Sequence, residues 1–223
     1  MTLRTKGAAL AAATATALLL TACGGSEDGN DSPITGADQS TESTPEPEET
    51  TAEDEPEDAD GDHPEIELPD DVELVFDWDT PEDPDEAAAL SHAVYYLTAL
   101  NKAIVEQDPD HPLYQGHSLG GAREYARDQV EQWVDGGWTK SGKDRYYKLD
   151  FRRVGDIIGV EFCRDNSEMF GKEVATGNLV PKEEGSEYSQ YTYYTIGMVE
   201  SPGAEGFWQA TAIEVLGEAQ QCA

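Results

Sequence analysis

Asp135-Gly136-Gly137 divides two kinds of sequence, and the fold follows from the change. Before it, apolar residues recur at helical spacing. Leu119, Ala122, Ala126, Val130 and Trp133 make one stripe, and Leu90, Ala93, Val94, Leu97, Leu100 and Ile104 make another. After it the period is two. Tyr147, Leu149 and Phe151 alternate with other residues along one strand, and Ile158, Val160 and Phe162 along the next. The paired glycines are themselves a helix-stop signal, because glycine accepts the left-handed backbone that closes a last turn. Helices followed by a run of strands predict an α+β domain, with N-terminal helices packed on an antiparallel sheet.

Working outward, Asp83-Pro84-Asp85-Glu86 reads as a helix start. Asp83 caps, Pro84 suits the first helical position, and Glu86 completes a capping box. The helix it opens runs over residues 84–106 and is stopped by Asp108-Pro109-Asp110-His111-Pro112. His92 falls on the face opposite the apolar stripe and is expected in solvent. Val72, Leu74, Phe76 and Trp78 alternate, which predicts an extended segment with one face on the core. Downstream, residues 165–178 read as a turn-rich excursion with a short strand near 169–174. Residues 186–199 and 207–216 read as the last two strands. Ser201-Pro202-Gly203 turns between them, so they should pair antiparallel.

The N-terminal end reads as a targeting segment. Arg4 and Lys6 precede an uncharged run from Ala8 to Leu20, too short for a membrane-spanning helix of about 20 apolar residues. Leu20-Thr21-Ala22-Cys23 resembles a bacterial lipobox. That resemblance implies that residues 1–22 are a signal peptide, that the Cys23 thiolate accepts a diacylglyceryl group, and that the protein is anchored on the extracellular face of the cell membrane. Two acyl chains anchor stably where one is marginal. Residues 23–70 carry no Lys or Arg and little large apolar surface, and read as a disordered acidic tether ahead of a domain over residues 71–223. With Cys23 lipidated, Cys163 and Cys222 remain, and an even pair in an exported domain reads as one disulfide. A net charge of -33 argues against nucleic acid as a partner and against basic-patch adhesion to anionic lipid.

Two motifs invite chemistry and fail on inspection. The acids Asp77, Asp79, Glu82, Asp83 and Asp85 suggest calcium, but an EF-hand loop needs Gly at its sixth position and Glu at its twelfth. Counted from Asp77, those positions hold Glu82 and Ala88. Capping and helix-dipole pairing account for the acids. Gly116-His117-Ser118-Leu119-Gly120 matches the G-x-S-x-G elbow and resembles its lipase version, which implies Ser118 as nucleophile after a buried strand, with an acid and then a His to follow. The residues before it include two prolines, two aspartates and a His. The four histidines, His63, His92, His111 and His117, all precede Ser118. Ser118 is therefore assigned to capping the second helix.

Trp133, the strand end Val160-Glu161-Phe162-Cys163-Arg164-Asp165-Asn166-Ser167, Thr176-Gly177, Gly206-Phe207-Trp208-Gln209 and Cys222 resemble features of the nuclear transport factor 2-like (SnoaL-like, cystatin-like) fold, and more narrowly of actinobacterial lipoproteins with that fold. Glu161 and Phe162 depart from the pattern, being bulkier and more acidic than usual there. The resemblance implies a sheet curled around the first helix to leave a cone-shaped pocket. Some members are isomerases or hydrolases with an Asp or His base in the cone; others bind ligands or dimerise. Tyr147, Tyr191, Tyr193, Tyr194 and Trp208 would line such a cone or fill the core around it. Asp150 points away from Leu149 and Phe151, toward solvent, and no acid or His is marked as a buried base. The expectation is a lipid-anchored, non-catalytic module for a small ligand or an envelope protein, with no catalytic residue, metal or cofactor. The alternative is a hydrolase or isomerase, either a serine esterase at Ser118 or a cone-pocket enzyme.

Overall fold

The computed structural model describes residues 63–182 and 185–223. The expected signal peptide, Cys23 and most of the acidic tether lie outside the described residues. No helix among the described residues is long and apolar enough to cross a membrane. The packed chain reaches back before the expected domain start at Asp71, because Ile66 packs against the main core and Lys102 Nζ donates to the Glu67 carbonyl.

Among the described residues the chain forms five strands and three α-helices: β1 (Val72–Asp77), α1 (Pro84–Glu106), α2 (Pro112–Gly116), α3 (Gly120–Asp135), β2 (Trp138–Val154), β3 (Ile157–Glu173), β4 (Tyr191–Glu200) and β5 (Trp208–Gly217). The Asp83 carboxylate accepts from the Asp85 and Glu86 amides, and Pro84 stands in the first turn, as a capped start requires. Gly136 caps α3 at its end. The short α2 was not anticipated. Pro112 opens it, and His111 Nδ1 accepts from the Leu113 amide.

The sheet has the order β1-β2-β3-β4-β5. Strands β2 to β5 are antiparallel neighbours, but β1 runs parallel to β2, so the sheet is mixed. All three helices lie between β1 and β2 in the chain, and such a crossover returns the second strand in the same direction as the first. The expected excursion after Asp165 is instead the continuation of β3, which pairs with β2 as far as Trp138↔Glu173. Its partner β4 stops at Asp165↔Tyr191. Beyond that point β3 has lost β4 on one side, and past Met169, where β1 also ends, only β2 and β3 remain paired, which is why its sequence is polar enough to read as a loop. For the same reason β4 starts at Tyr191, later than the sequence suggests.

In β2, Lys148 and Leu149 together face Phe162, between the pairs Tyr147↔Cys163 and Asp150↔Glu161. Lys148 takes a left-handed backbone, with φ 54°. Such a bulge bends the strand and resets its alternation. Tyr146 therefore enters the core, while Tyr147, placed by alternation with Leu149 and Phe151, sits on the other face. Inside the curl, α1 presents Ala89, Ala93, Tyr96, Ala99 and Ala103, all at most 1 % exposed. Small residues let the sheet approach the helix closely, and Tyr96 spends its hydroxyl on the Ala122 carbonyl at 2.6 Å. Phe162 stacks on Tyr194 with ring centres 5.4 Å apart.

Tyr194 and Trp208 belong to this core, whereas Tyr147, Tyr191 and Tyr193 pack on the far face around the Cys163–Cys222 disulfide. Glu161 also faces that way and accepts from the Tyr193 hydroxyl at 2.6 Å. The alternation of Glu161 outward and Phe162 inward resolves the departure noted in the sequence. The disulfide spans a sequence separation of 59 and fixes the turn Gln220–Cys222 to β3. Replacing both cysteines by Ala should lower unfolding free energy by about 2–4 kcal/mol, read from denaturant midpoints. An unchanged midpoint would show that the Tyr147 hydroxyl, which donates to the Cys222 carbonyl, holds this end without it.

Candidate functional site

Lys140, Asp144 and Tyr146 all turn their side chains to the buried face of β2, and Arg164 joins them from β3, where it is paired with Tyr146. Asp144 is 0 % exposed. Its Oδ2 accepts from Arg164 at 2.7 Å and lies 3.5 Å from Lys140 Nζ. Lys140 also donates to Asn101 Oδ1 at 2.6 Å, and Asn101 is itself held by the Leu97 carbonyl on α1. Two cations thus share one carboxylate in the interior. Burial pushes the Lys140 ammonium down to about 8, with Asp144 pulling the other way and Arg164 adding to the fall. Arg164 Nε and Asp144 Oδ1 are buried with no hydrogen-bond partner among the described residues.

Arg164 is the part of this cluster that reaches open space. It lines a groove of about 480 Å³ with Trp133 of α3, Asn166, Met169 and Phe170 of β3, and Lys182. An adjoining lobe of about 320 Å³ shares Trp133, Met169, Phe170 and Lys182 and adds Trp138 and Val180. Lys182 Nζ lies 4.8 Å from the Phe170 ring centre and donates to the Asn166 and Ser167 carbonyls. The groove therefore has aromatic and thioether walls, with cationic groups from Arg164 and Lys182. Asp144 does not line it.

The expectation that no acid or His is buried needs correction. Asp144 was missed because Lys140-Ser141-Gly142-Lys143-Asp144-Arg145 looks like a solvated turn. The even spacing of Lys140, Asp144 and Tyr146 was the available signal. His92, expected in solvent, is 6 % exposed. The β4–β5 connection covers that side of α1: His92 Nε2 is 3.1 Å from the Gly206 carbonyl, and the Phe207 ring stands edge-on to it. His117 lies close to it, with ring centres 5.8 Å apart, and His63 lies between 4.1 Å and 5.0 Å from the two. His111 is elsewhere, bonded to Glu106 at 2.9 Å. Asp150 is exposed, as expected.

Ser118 does not cap a helix. Leu119 occupies the cap position of α3, and the fully buried Ser118 hydroxyl donates to the Tyr114 carbonyl at 2.7 Å. The segment around it pairs with the edge of β5, with Leu119 N donating to the Ala210 carbonyl and Ala210 N to the His117 carbonyl. Gly120 adopts φ 47° there, and a side chain on it would meet the Thr211 carbonyl oxygen at 3.5 Å. Gly120 of the lipase-like motif thus serves the turn beside β5 through its left-handed backbone. The element leading directly into Ser118 is α2, where an elbow requires a strand.

No protein-family model matches the chain, and a search of curated proteins found no match. Several solved structures resemble it. One, from Catenulispora acidiphila, is 12 % identical, with 59 % of this chain and 90 % of that one covered and a TM-score of 0.37. A nuclear transport factor 2-like protein from Cytophaga hutchinsonii is 11 % identical over 56 % of this chain and 94 % of that one, at a TM-score of 0.33. A ketosteroid isomerase candidate from Shewanella frigidimarina is 14 % identical over 59 % of this chain and 97 % of that one, at 0.34.

Two outcomes follow for the buried cluster. Asp144→Ala strands two interior cations and should cost roughly 3–5 kcal/mol of unfolding free energy in urea. Lys140 has a lower pKa folded than unfolded, so the unfolded chain holds the extra proton between about 8 and 10.5. The wild type should therefore gain stability relative to Lys140→Met as pH rises through that window. A pH-independent difference would place the Lys140 ammonium in contact with water.

Proposed function

We propose that the chain is a cell-surface lipoprotein of the actinobacterial kind, anchored through Cys23, whose nuclear transport factor 2-like domain binds a small amphipathic anion without transforming it. The observation that carries the binding reading is Arg164: a half-buried guanidinium, only partly used by Asp144, at the wall of an aromatic-lined groove, in a cluster where cations outnumber carboxylates. A carboxylate or phosphate on an apolar body suits such a site, since a guanidinium offers paired donors and the ring walls take the remainder. Catalysis is less well served. A general base must come within hydrogen-bond reach of substrate, and Asp144 stands behind Arg164 and is engaged by it. The Ser118 hydroxyl is committed to Tyr114 and closed off from solvent.

The anchor reading rests on Arg4, Lys6, the apolar run and Leu20-Thr21-Ala22-Cys23. Cys23→Ala should move the protein from the membrane fraction to the soluble fraction; retention in the membrane would remove the lipid from the account. For the groove, anilinonaphthalene sulfonate is a suitable aromatic anion. Its fluorescence titration into the mature chain should saturate at one site, and Arg164→Met should weaken it by about tenfold or more, the equivalent of ~1.4 kcal/mol. Affinity unchanged from the wild type in both Arg164→Met and Lys182→Met would refute an anion site in this groove. A fluorophosphonate probe should leave Ser118 unlabelled.

A further inference from the structure

His63, His92 and His117 come from three separate stretches: the segment leading into β1, the side of α1 away from the apolar stripe, and the turn between α2 and α3. Each offers one ring nitrogen, and these nitrogens all lie within 4.8 Å of one another. A tetrahedral ion with metal–nitrogen distances of about 2.0–2.1 Å holds its ligands roughly 3.4 Å apart, so modest imidazole rotation closes the set. None of the lining residues of the Arg164 groove takes part.

The tautomer is favourable. The Gly206 carbonyl can only accept, so His92 Nε2 carries the proton in their 3.1 Å hydrogen bond and Nδ1 carries the lone pair. His92 Nδ1 and His117 Nδ1 are buried with no hydrogen-bond partner among the described residues. Buried nitrogens left without a donor are uncommon and call for a cause. A backbone carbonyl fixing the outer nitrogen of a histidine is also the usual support behind a metal ligand. Tyr95 and Phe207 pack beside His117, with ring centres 4.2 Å and 5.1 Å away, and wall the cluster with aromatic surface.

We propose that His63, His92 and His117 form a binding site for a divalent transition-metal ion of the zinc type. An all-imidazole donor set suits zinc, copper, nickel or cobalt; calcium and magnesium demand oxygen. Three protein ligands leave the fourth position of a tetrahedral ion to water or to an exogenous donor. Bound metal would also fasten the segment at His63 to α1 and to the turn before α3.

The test uses the mature chain after treatment with a chelator. Zinc titrated against a chromophoric competitor should bind at one ion per chain above the weak background of the acidic tether, and cobalt should give the intense visible spectrum of a tetrahedral nitrogen site. His63→Ala and His117→Gln should each weaken binding by roughly tenfold or more. His111→Gln, outside the cluster, should not. Circular dichroism of His63→Ala guards against misfolding, and zinc should raise the melting temperature of the wild type while leaving that variant unmoved. Binding that survives both substitutions, or a weak octahedral cobalt spectrum, would overturn the proposal and assign the ions to carboxylates.

Discussion

The domain depends on bending two strands that are longer than the helix they cover. At about 3.3 Å per residue, the seventeen residues of β2 and of β3 extend roughly 55 Å, against roughly 35 Å for the twenty-three of α1. The bulge at Lys148 and Leu149 lets β2 turn around the helix, and the alanines of α1 let the sheet settle closely on it. Length left over beyond the ends of β4 and β5 becomes an overhang of β2 and β3, edged at its base by the first residues of β1. Met169 and Phe170 sit on that overhang, and Trp133 of α3 meets them there. The groove is thus a result of strand length, created where β2 and β3 continue after β4 and β5 have stopped.

Much of this was legible in the residues. Asp83-Pro84-Asp85-Glu86 opened α1 where the capping chemistry said it should, and Asp135-Gly136 closed α3. The pairing of Cys163 with Cys222 also followed from their number and setting. What could not be read depends on contacts distant in sequence. The bulge exchanges the faces of Tyr146 and Tyr147, and no local pattern announces it. Crossover through three helices makes β1 parallel, although its alternation is the same in either direction. The three histidines share no spacing, so only the folded chain brings them together. Asp144 was hidden by charged neighbours that do face water.

The charge distribution sharpens what the groove can accept. The chain as a whole carries -33, yet Lys140 and Arg164 are inside the domain with Asp144 as their shared counter-charge. An anion approaching over the acidic exterior is repelled until it is within about 10 Å of the cationic groups, the screening length at moderate salt. Simple inorganic anions gain little there to offset the loss of hydration. A ligand with an apolar body has a second source of affinity in Trp133 and Phe170, and that combination favours amphipathic anions over bare ones.

The contact between Leu119 and Ala210 has a consequence for behaviour at high local concentration. A bare sheet edge is a template on which another chain can add a strand, the first step toward linear polymers. The turn between α2 and α3 occupies the early part of the β5 edge by bonding both the amide and the carbonyl of Ala210. Further along, Glu214 is exposed on a stretch that also exposes Val215 and Leu216, and its charge opposes the stacking of identical chains in register. A motif that imitates a hydrolase elbow thus acts as a guard against self-templating.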